Sequence, residues 1–177
     1  MIENIMLSGK NILLKILNKK DVTKDYLDWL NDPLINKFLE VRLNPPATIQ
    51  DLIIYVEDHA KLKNSFLFGM YTAKMELIGT LRLHDINNYH QFAYVGIMIG
   101  NKKFHGKGFG KEALDLISKH SKETLGLNYL YAGCYENNKA SFNCFINSGF
   151  KKECVIKDYW LFEANRVSQL MLKKELN

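Results

Sequence analysis

The sequence predicts an α+β fold: a mixed, mostly antiparallel sheet flanked by helices, with residues 1–177 forming a single domain. Three observations predict it. Strand-like and helix-like runs follow one another in the order β-α-α-β-β-β-α-β-α-β-β, not in the strict alternation of a doubly wound sheet. Three consecutive strand candidates in the middle of the chain are separated only by turn sequences, which makes an antiparallel meander. A chain of 177 residues, 47% hydrophobic and 24% charged, has the size and composition of one ordinary globular core.

The elements follow in order. Lys10 to Leu17 reads as a first strand. Asp21 is placed to cap a helix carrying Val22, Tyr26, Leu27, Trp29 and Leu30 at helical spacing, which Asn31-Asp32-Pro33 breaks. A short helical piece, Leu34 to Leu39, leads to Asn44-Pro45-Pro46. Thr48 then opens a helix to about Ala60, with Asp51 in the capping-box position. The meander comprises Ser65 to Tyr71, Leu77 to Ile86 and Phe92 to Ile99, with Lys74-Met75-Glu76 and Asn87-Asn88 as turns. A helix from Phe109 to Leu125 sets Ala113, Leu114, Leu116, Ile117 and Leu125 on one side, and Gly126 closes it. Tyr129 to Tyr135 is a strand, Asn138 caps a helix from Lys139 to Asn147, and Ser148-Gly149 stops it. Two last strands, about Phe150 to Phe162 and Val167 to Leu172, are joined across Glu163-Ala164-Asn165.

Composition excludes several classes. No apolar run reaches the roughly 18 to 20 residues of a membrane span, and Glu3, Lys10 and Lys15 interrupt Met1 to Ile16. Neither a span nor a signal peptide is expected, and no membrane partner. Cys134, Cys144 and Cys154 are odd in number and lack C-x-x-C spacing, so neither a disulfide frame nor a metal site is indicated and the cytoplasm is the expected location. The net charge of +5 is spread along the chain among 19 acids, which disfavours a nucleic-acid partner.

The densest basic cluster is Lys102-Lys103-Phe104-His105-Gly106-Lys107-Gly108-Phe109-Gly110-Lys111, between a strand and a helix. Glycines at 106, 108 and 110 let backbone N–H groups approach an anion, and the next helix points its positive end at them. The segment reads as a phosphate cradle. It is not a P-loop, because Glu112 stands where a magnesium-binding hydroxyl is required, and it lacks the acid of a dinucleotide fingerprint. A glycine-rich turn with a solvated lysine edge is the plain alternative.

With this element order, His105-Gly106-Lys107-Gly108-Phe109-Gly110 resembles the Q/R-x-x-G-x-G/A loop of the GNAT superfamily of acetyl-coenzyme A dependent N-acetyltransferases. Asn138-Lys139-Ala140-Ser141 followed by Gly149-Phe150 resembles its N-x-x-S…G-F segment. Trp29-Leu30-Asn31-Asp32-Pro33 and Phe104-His105-Gly106-Lys107-Gly108 look like the branch that includes the ribosomal-protein N-terminal acetyltransferases, which also holds enzymes acting on amino sugars and other small amines.

The resemblance implies acetyl-coenzyme A as acetyl donor, no metal, and a V-shaped gap between the fourth and fifth strands. It implies coenzyme contacts from Ile97, Met98 and Ile99, with an N–H near Met98 polarising the thioester carbonyl. The amides of Gly106, Lys107, Gly108, Phe109, Gly110 and Lys111 would take the pyrophosphate, and Asn138 and Ser141 would bond toward the pantetheine arm and the adenine end. His105 replaces the usual Gln or Arg and can donate to phosphate with a pH-dependent charge. Phe145 replaces a tyrosine acid, and the neighbouring Cys144 reads as packing. Tyr94 stands where many relatives carry glutamate. The candidate catalytic residues are Glu40, His84 and Tyr94, with Glu40 the first choice as base. Each has a plainer reading: an ion pair of Glu40 with Arg42, a surface turn at His84 and Asp85, and a helix-start charge for the further candidate, Glu136.

The expected reaction is acetyl transfer to a primary amine of a small molecule, with a nucleotide-linked amino sugar favoured. A protein N-terminus and a noncatalytic acyl-coenzyme A sensor are the alternatives, and a homodimer is implied by resemblance alone.

Overall fold

The computed structural model describes residues 5–177, so Glu3 lies outside the described residues. The strands are β1 (Met6–Ser8), β2 (Ile12–Ile16), β3 (Phe66–Thr72), β4 (Leu77–Asn87), β5 (Phe92–Ile99), β6 (Tyr129–Tyr135), β7 (Lys151–Phe162) and β8 (Asn165–Glu175). The helices are α1 (Lys24–Asn31), α2 (Pro33–Asn36), α3 (Ile49–Ala60), α4 (Phe109–Glu123) and α5 (Lys139–Asn147), with 3-10 turns at Lys19–Asp21, Glu40–Leu43 and Lys102–Phe104. One sheet runs β1-β2-β3-β4-β5-β6-β8-β7. Every neighbouring pair is antiparallel except β5 and β6, whose parallel register requires the crossover that α4 supplies. The α+β architecture expected from the sequence is the one observed.

Two boundaries differ in an instructive way. Asp21 does not cap α1: it closes a capping box with Asn18 on the preceding 3-10 turn, and Thr23 accepts from Tyr26 N–H to cap the helix itself. Strand β1 has no counterpart among the expected elements, so the strands expected as fourth and fifth are β5 and β6. It pairs Met6–Ser8 with Leu13–Lys15 as a short hairpin.

Helices cover both faces of the sheet. Against one face α4 and α5 bury Leu114, Ile117 and Phe145 with Phe68, Leu81, Val95 and Phe150. Against the other, α1 and α3 bury Tyr26, Trp29, Leu52 and Val56 with Leu67, Tyr71 and Met98. Each fully buried aliphatic or aromatic side chain contributes about 1.5–3 kcal/mol. The alternation along β4 and β5 divides these cores. Leu81 and Leu83 enter the first, whereas Thr80, Arg82 and His84 pair with Met98, Gly96 and Tyr94 on the face that carries α1 and α3.

Glu112 fastens α4 to the β1–β2 hairpin. Its carboxylate accepts from Asn11 N–H at 2.7 Å and from the Asn11 side-chain amide at 2.9 Å. Burial pushes the carboxyl up, but these bonds, with those from the Ile12 and Lys10 amides, outweigh it and hold the group below the usual carboxylate range. A folded-state carboxyl depressed in this way stabilises fully above its unfolded value of about 4.3 and loses that contribution as pH falls through the folded value. Glu112→Gln is therefore expected to cost about 1–3 kcal/mol at pH 7 and progressively less in acid, measured by urea unfolding at several pH values. An undiminished difference at the acid end would show that the charge is not what holds the hairpin.

Candidate active site

Strands β5 and β6 pair only over Phe92–Tyr94 and Tyr129–Tyr131. Beyond Tyr94, β5 stays on β4 while β6 stays on β8, so the two diverge inside the sheet. This is the V-shaped gap the sequence led us to expect. Three bonds fix which groups of β5 face it. Gly100 N–H donates to Ile78 O on β4, whereas Gln91 O accepts from Tyr129 N–H, and Ile99 O accepts from the His105 ring. Backbone groups alternate along a strand, so odd-numbered residues face β6 and the gap, and even-numbered ones face β4. The period gives the Met98 amide to the β4 ladder, opposite Thr80, and leaves the amides of Ile97 and Ile99 at the gap edge. Where an N–H free toward the gap was expected near Met98, the structure offers those of Ile97 and Ile99 instead.

At the end of β5 the chain turns through Lys102–Phe104 into the glycine loop. Gly106 (φ +70°) and Gly108 (φ +84°) adopt the left-handed conformation that glycine tolerates, and no atom lies within 4 Å of where a Cβ would stand on either. Gly108 is the N-cap of α4 and supplies no side-chain acceptor, so the first amides of the helix point outward unmatched. Two lysines of the loop are engaged. Lys102 pairs with Asp32 at 2.6 Å and Lys111 with Asp115. Lys103 and Lys107 have no carboxylate partner among the described residues, and Lys107 lies over the Phe104 ring. An open nest of amides with free ammonium groups beside it fits a pyrophosphate.

The His105 ring is turned back, its Nε2 at 2.8 Å from Ile99 O. A carbonyl only accepts, so Nε2 carries the hydrogen, and Nδ1 donates to an anion only once the ring is protonated. Asn138 accepts from Ser141 N–H at 3.2 Å as the cap of α5, leaving its side-chain NH2 and the Ser141 hydroxyl for other partners. Phe145 is 2% exposed and packs edge-on against Phe150, which makes it a core residue. Burial pushes the Cys144 thiol up, with Asp115 adding to the effect, so it stays protonated.

On the α1 and α3 side of β5 lies a cavity of about 920 Å³. Its floor is Leu67, Thr80, Arg82 and Gly96 to Met98, and its walls come from α1, from the segment around Leu39 to Ala47, and from α3. It therefore meets the diverging strands at Ile97. Glu40 is on its wall, with no hydrogen-bond or ion-pair partner among the described residues. The ion pair with Arg42, the plainer reading of Glu40, does not form. Arg42 instead bonds Lys37 O, Tyr135 Oη and Leu161 O, which anchors the Glu40–Leu43 turn to the far end of the sheet.

The remaining catalytic candidates are not brought to the cavity. His84 and Tyr94 stack on each other across β4 and β5, and the His84 Nδ1 is 2.8 Å from Asp85. They lie two residues, about 7 Å, along the strands from Arg82 and Gly96. Glu136 accepts from Ser168 N–H on β8. Among the cavity residues that sequence reasoning missed, Tyr26 is buried, which raises its phenol well above the usual range and keeps it protonated. Arg82 was missed as well, although the polar alternation Thr80-x-Arg82-x-His84 within an apolar strand marked that face.

A sequence model described as the acetyltransferase (GNAT) domain matches residues 11–151. The chain belongs to the GNAT family. It is similar to a probable N-acetyltransferase of Bacillus subtilis (strain 168), YjcK, with 27% identity over 158 residues, 86% of this chain and 87% of that protein. The GNAT fold is also that of a spermidine N-acetyltransferase from Vibrio cholerae solved in complex with CoA and spermine, with TM-score 0.84 at 19% identity over 95% of this chain and 97% of that one. An acetyltransferase (GNAT family) from Bacillus anthracis superposes with TM-score 0.82 at 17% identity over 97% and 98% of the two chains. This GNAT chain is thus an acyltransferase of the N-acetyltransferase type. Among the described residues no helix is long and apolar enough to cross a membrane, and no group of three or more His, Cys, Asp or Glu residues is placed to hold a metal.

Proposed function

We propose that the chain transfers acetyl from acetyl-coenzyme A to a primary amine of a small molecule, with a nucleotide-linked amino sugar as the favoured acceptor. The observation that carries this reading is the meeting of two spaces at one strand edge: the β5–β6 gap with its glycine loop on one side, and the cavity on the other. The loop amides from Gly106 to Lys111, with Lys103 and Lys107, hold the pyrophosphate. Asn138 and Ser141 bond the arm beyond it. The coenzyme supplies an acetyl thioester. Ile97 or Ile99 donates its amide to the carbonyl oxygen as negative charge develops there, in a site where no solvent reorganisation is needed. Glu40, free of partners, takes a proton from the acceptor ammonium; the freed amine attacks the thioester carbonyl, and collapse of the oxyanion breaks the C–S bond and releases coenzyme A as its thiolate.

A polyamine is the second reading, favoured by the two acids on the cavity wall, Glu40 and Asp51, and by the spermidine acetyltransferase likeness of the fold. Asp51 is already bound by Thr48 N–H at 2.8 Å, which weakens it. A homodimer is supported by exposed Val155, Ile156, Tyr159 and Leu161 on the edge strand β7. The exposed thiol of Cys154 supports a reducing, cytoplasmic location.

The test is calorimetric titration with acetyl-coenzyme A, followed by thiol release over amino sugar nucleotides, polyamines, peptide N-termini and aminoglycosides. Binding with release on amino sugar nucleotides is the expected result. Binding without release on any of these would point to a sensor or to an amine outside the panel, and absence of binding would overturn the assignment of the loop.

A further inference from the structure

Arg82 lies on the cavity floor, directly opposite Gly96 across β4 and β5. Nothing lies within 4 Å of the Gly96 Cβ direction, so the space beside the guanidinium is open. Only Nε is committed, to the hydroxyl of buried Ser65 at 3.2 Å. That bond aims the planar fork while leaving both terminal nitrogens without a partner among the described residues, and no carboxylate pairs with it. The two acids of the cavity do not answer this charge. Asp51 is closed into the capping box with Thr48, and Glu40 stands on the wall unpaired.

Arg82 is half-buried and its terminal nitrogens face the open cavity, so an oxyanion entering there gains charge-assisted hydrogen bonds without first breaking an ion pair. We propose that Arg82 recognises an anionic group, a phosphate or a carboxylate, on the acceptor and thereby selects anionic amines over purely cationic ones. The proposal rests on the acceptor reading given above and adds to it a charge requirement. Glu40 and Arg82 then take the two ends of one molecule, its ammonium at the strand edge and its anion on the floor. The guanidinium fork suits either oxyanion through paired N–H···O bonds. A polyamine has no group to offer Arg82 and is repelled by it.

The test uses protein saturated with coenzyme A, so that the donor site cannot take up the probes. Glucosamine, glucosamine 6-phosphate, UDP-glucosamine, 2-amino-2-deoxyglucuronate and spermidine are titrated in turn. At least one anionic amine is expected to bind roughly 10- to 100-fold more tightly than glucosamine. Whether the phosphorylated or the carboxylated probes show the gain identifies the oxyanion. The preference should vanish in Arg82→Gln and survive in part in Arg82→Lys, which keeps the charge without the fork, while coenzyme A affinity stays unchanged in both. If Arg82→Gln does not fold, Arg82→Lys decides. Equal binding of charged and uncharged probes, a preference untouched by both substitutions, or no amine bound by coenzyme-loaded protein would each overturn the role of Arg82. Failure of the unaltered protein to bind coenzyme A would instead overturn the acetyltransfer reading of the site.

Discussion

Gly108→Val is expected to abolish coenzyme binding while leaving a folded protein. At φ +84° a β-branched residue is strained by about 1–3 kcal/mol, which a domain of this size withstands. The added side chain meets no protein atom, so the core is not disturbed. It does project into the open nest and tilt the first amides of α4 away from the anion. Losing two charge-assisted bonds of that kind weakens binding by roughly 100-fold or more. Calorimetry with acetyl-coenzyme A, beside a thermal melt, separates the two effects. Wild-type affinity in the variant would show that the phosphates lie elsewhere.

Glu40→Gln is expected to lower turnover by roughly 10²- to 10⁴-fold with little change in acetyl-coenzyme A affinity, because the amide keeps the shape of the wall but accepts no proton. The loss should shrink as pH rises and free amine becomes available without a base. A rate unchanged across the whole pH range would remove Glu40 from the mechanism and leave proton removal to water.

Much of this arrangement is legible in the chain because local chemistry decides it. Strand β6 and helix α5 begin and end where expected, since Gly126, Asn138 and Gly149 fix their ends through left-handed turns and a cap. The glycine loop is legible for the same reason. Competition between equivalent signals is harder to read. Asp21 and Thr23 are both good caps two residues apart, and only the chain's path assigns one to the 3-10 turn and the other to α1. Strand β1 is three residues long, too short for a period to show, and the hairpin it forms with β2 is fastened at Asn11 by Glu112, about a hundred positions away.

The site itself depends most on distant contacts. Arg42 abandons its neighbour Glu40 for Tyr135 and Leu161, 93 and 119 residues off, and no local pattern announces that choice. The sequence ranks Glu40 ahead of His84 as base but excludes neither. The register of β4 on β5 separates them, by carrying His84 past the cavity to stack on Tyr94.

The divergence of β5 from β6 also bears on how the protein lives without its substrate. A sheet with a split in its middle carries two inner edges whose backbone groups lack the neighbour that ordinarily protects them. Under the function proposed above, a bound coenzyme arm takes the place of that neighbour, and by mass action it drains the unfolded population: about 2.7 kcal/mol of added stability at a hundredfold excess over its dissociation constant. Cellular abundance of such a chain should therefore follow the supply of the coenzyme, and a preparation stripped of it should melt earlier, be cut sooner by proteases and aggregate through the open seam.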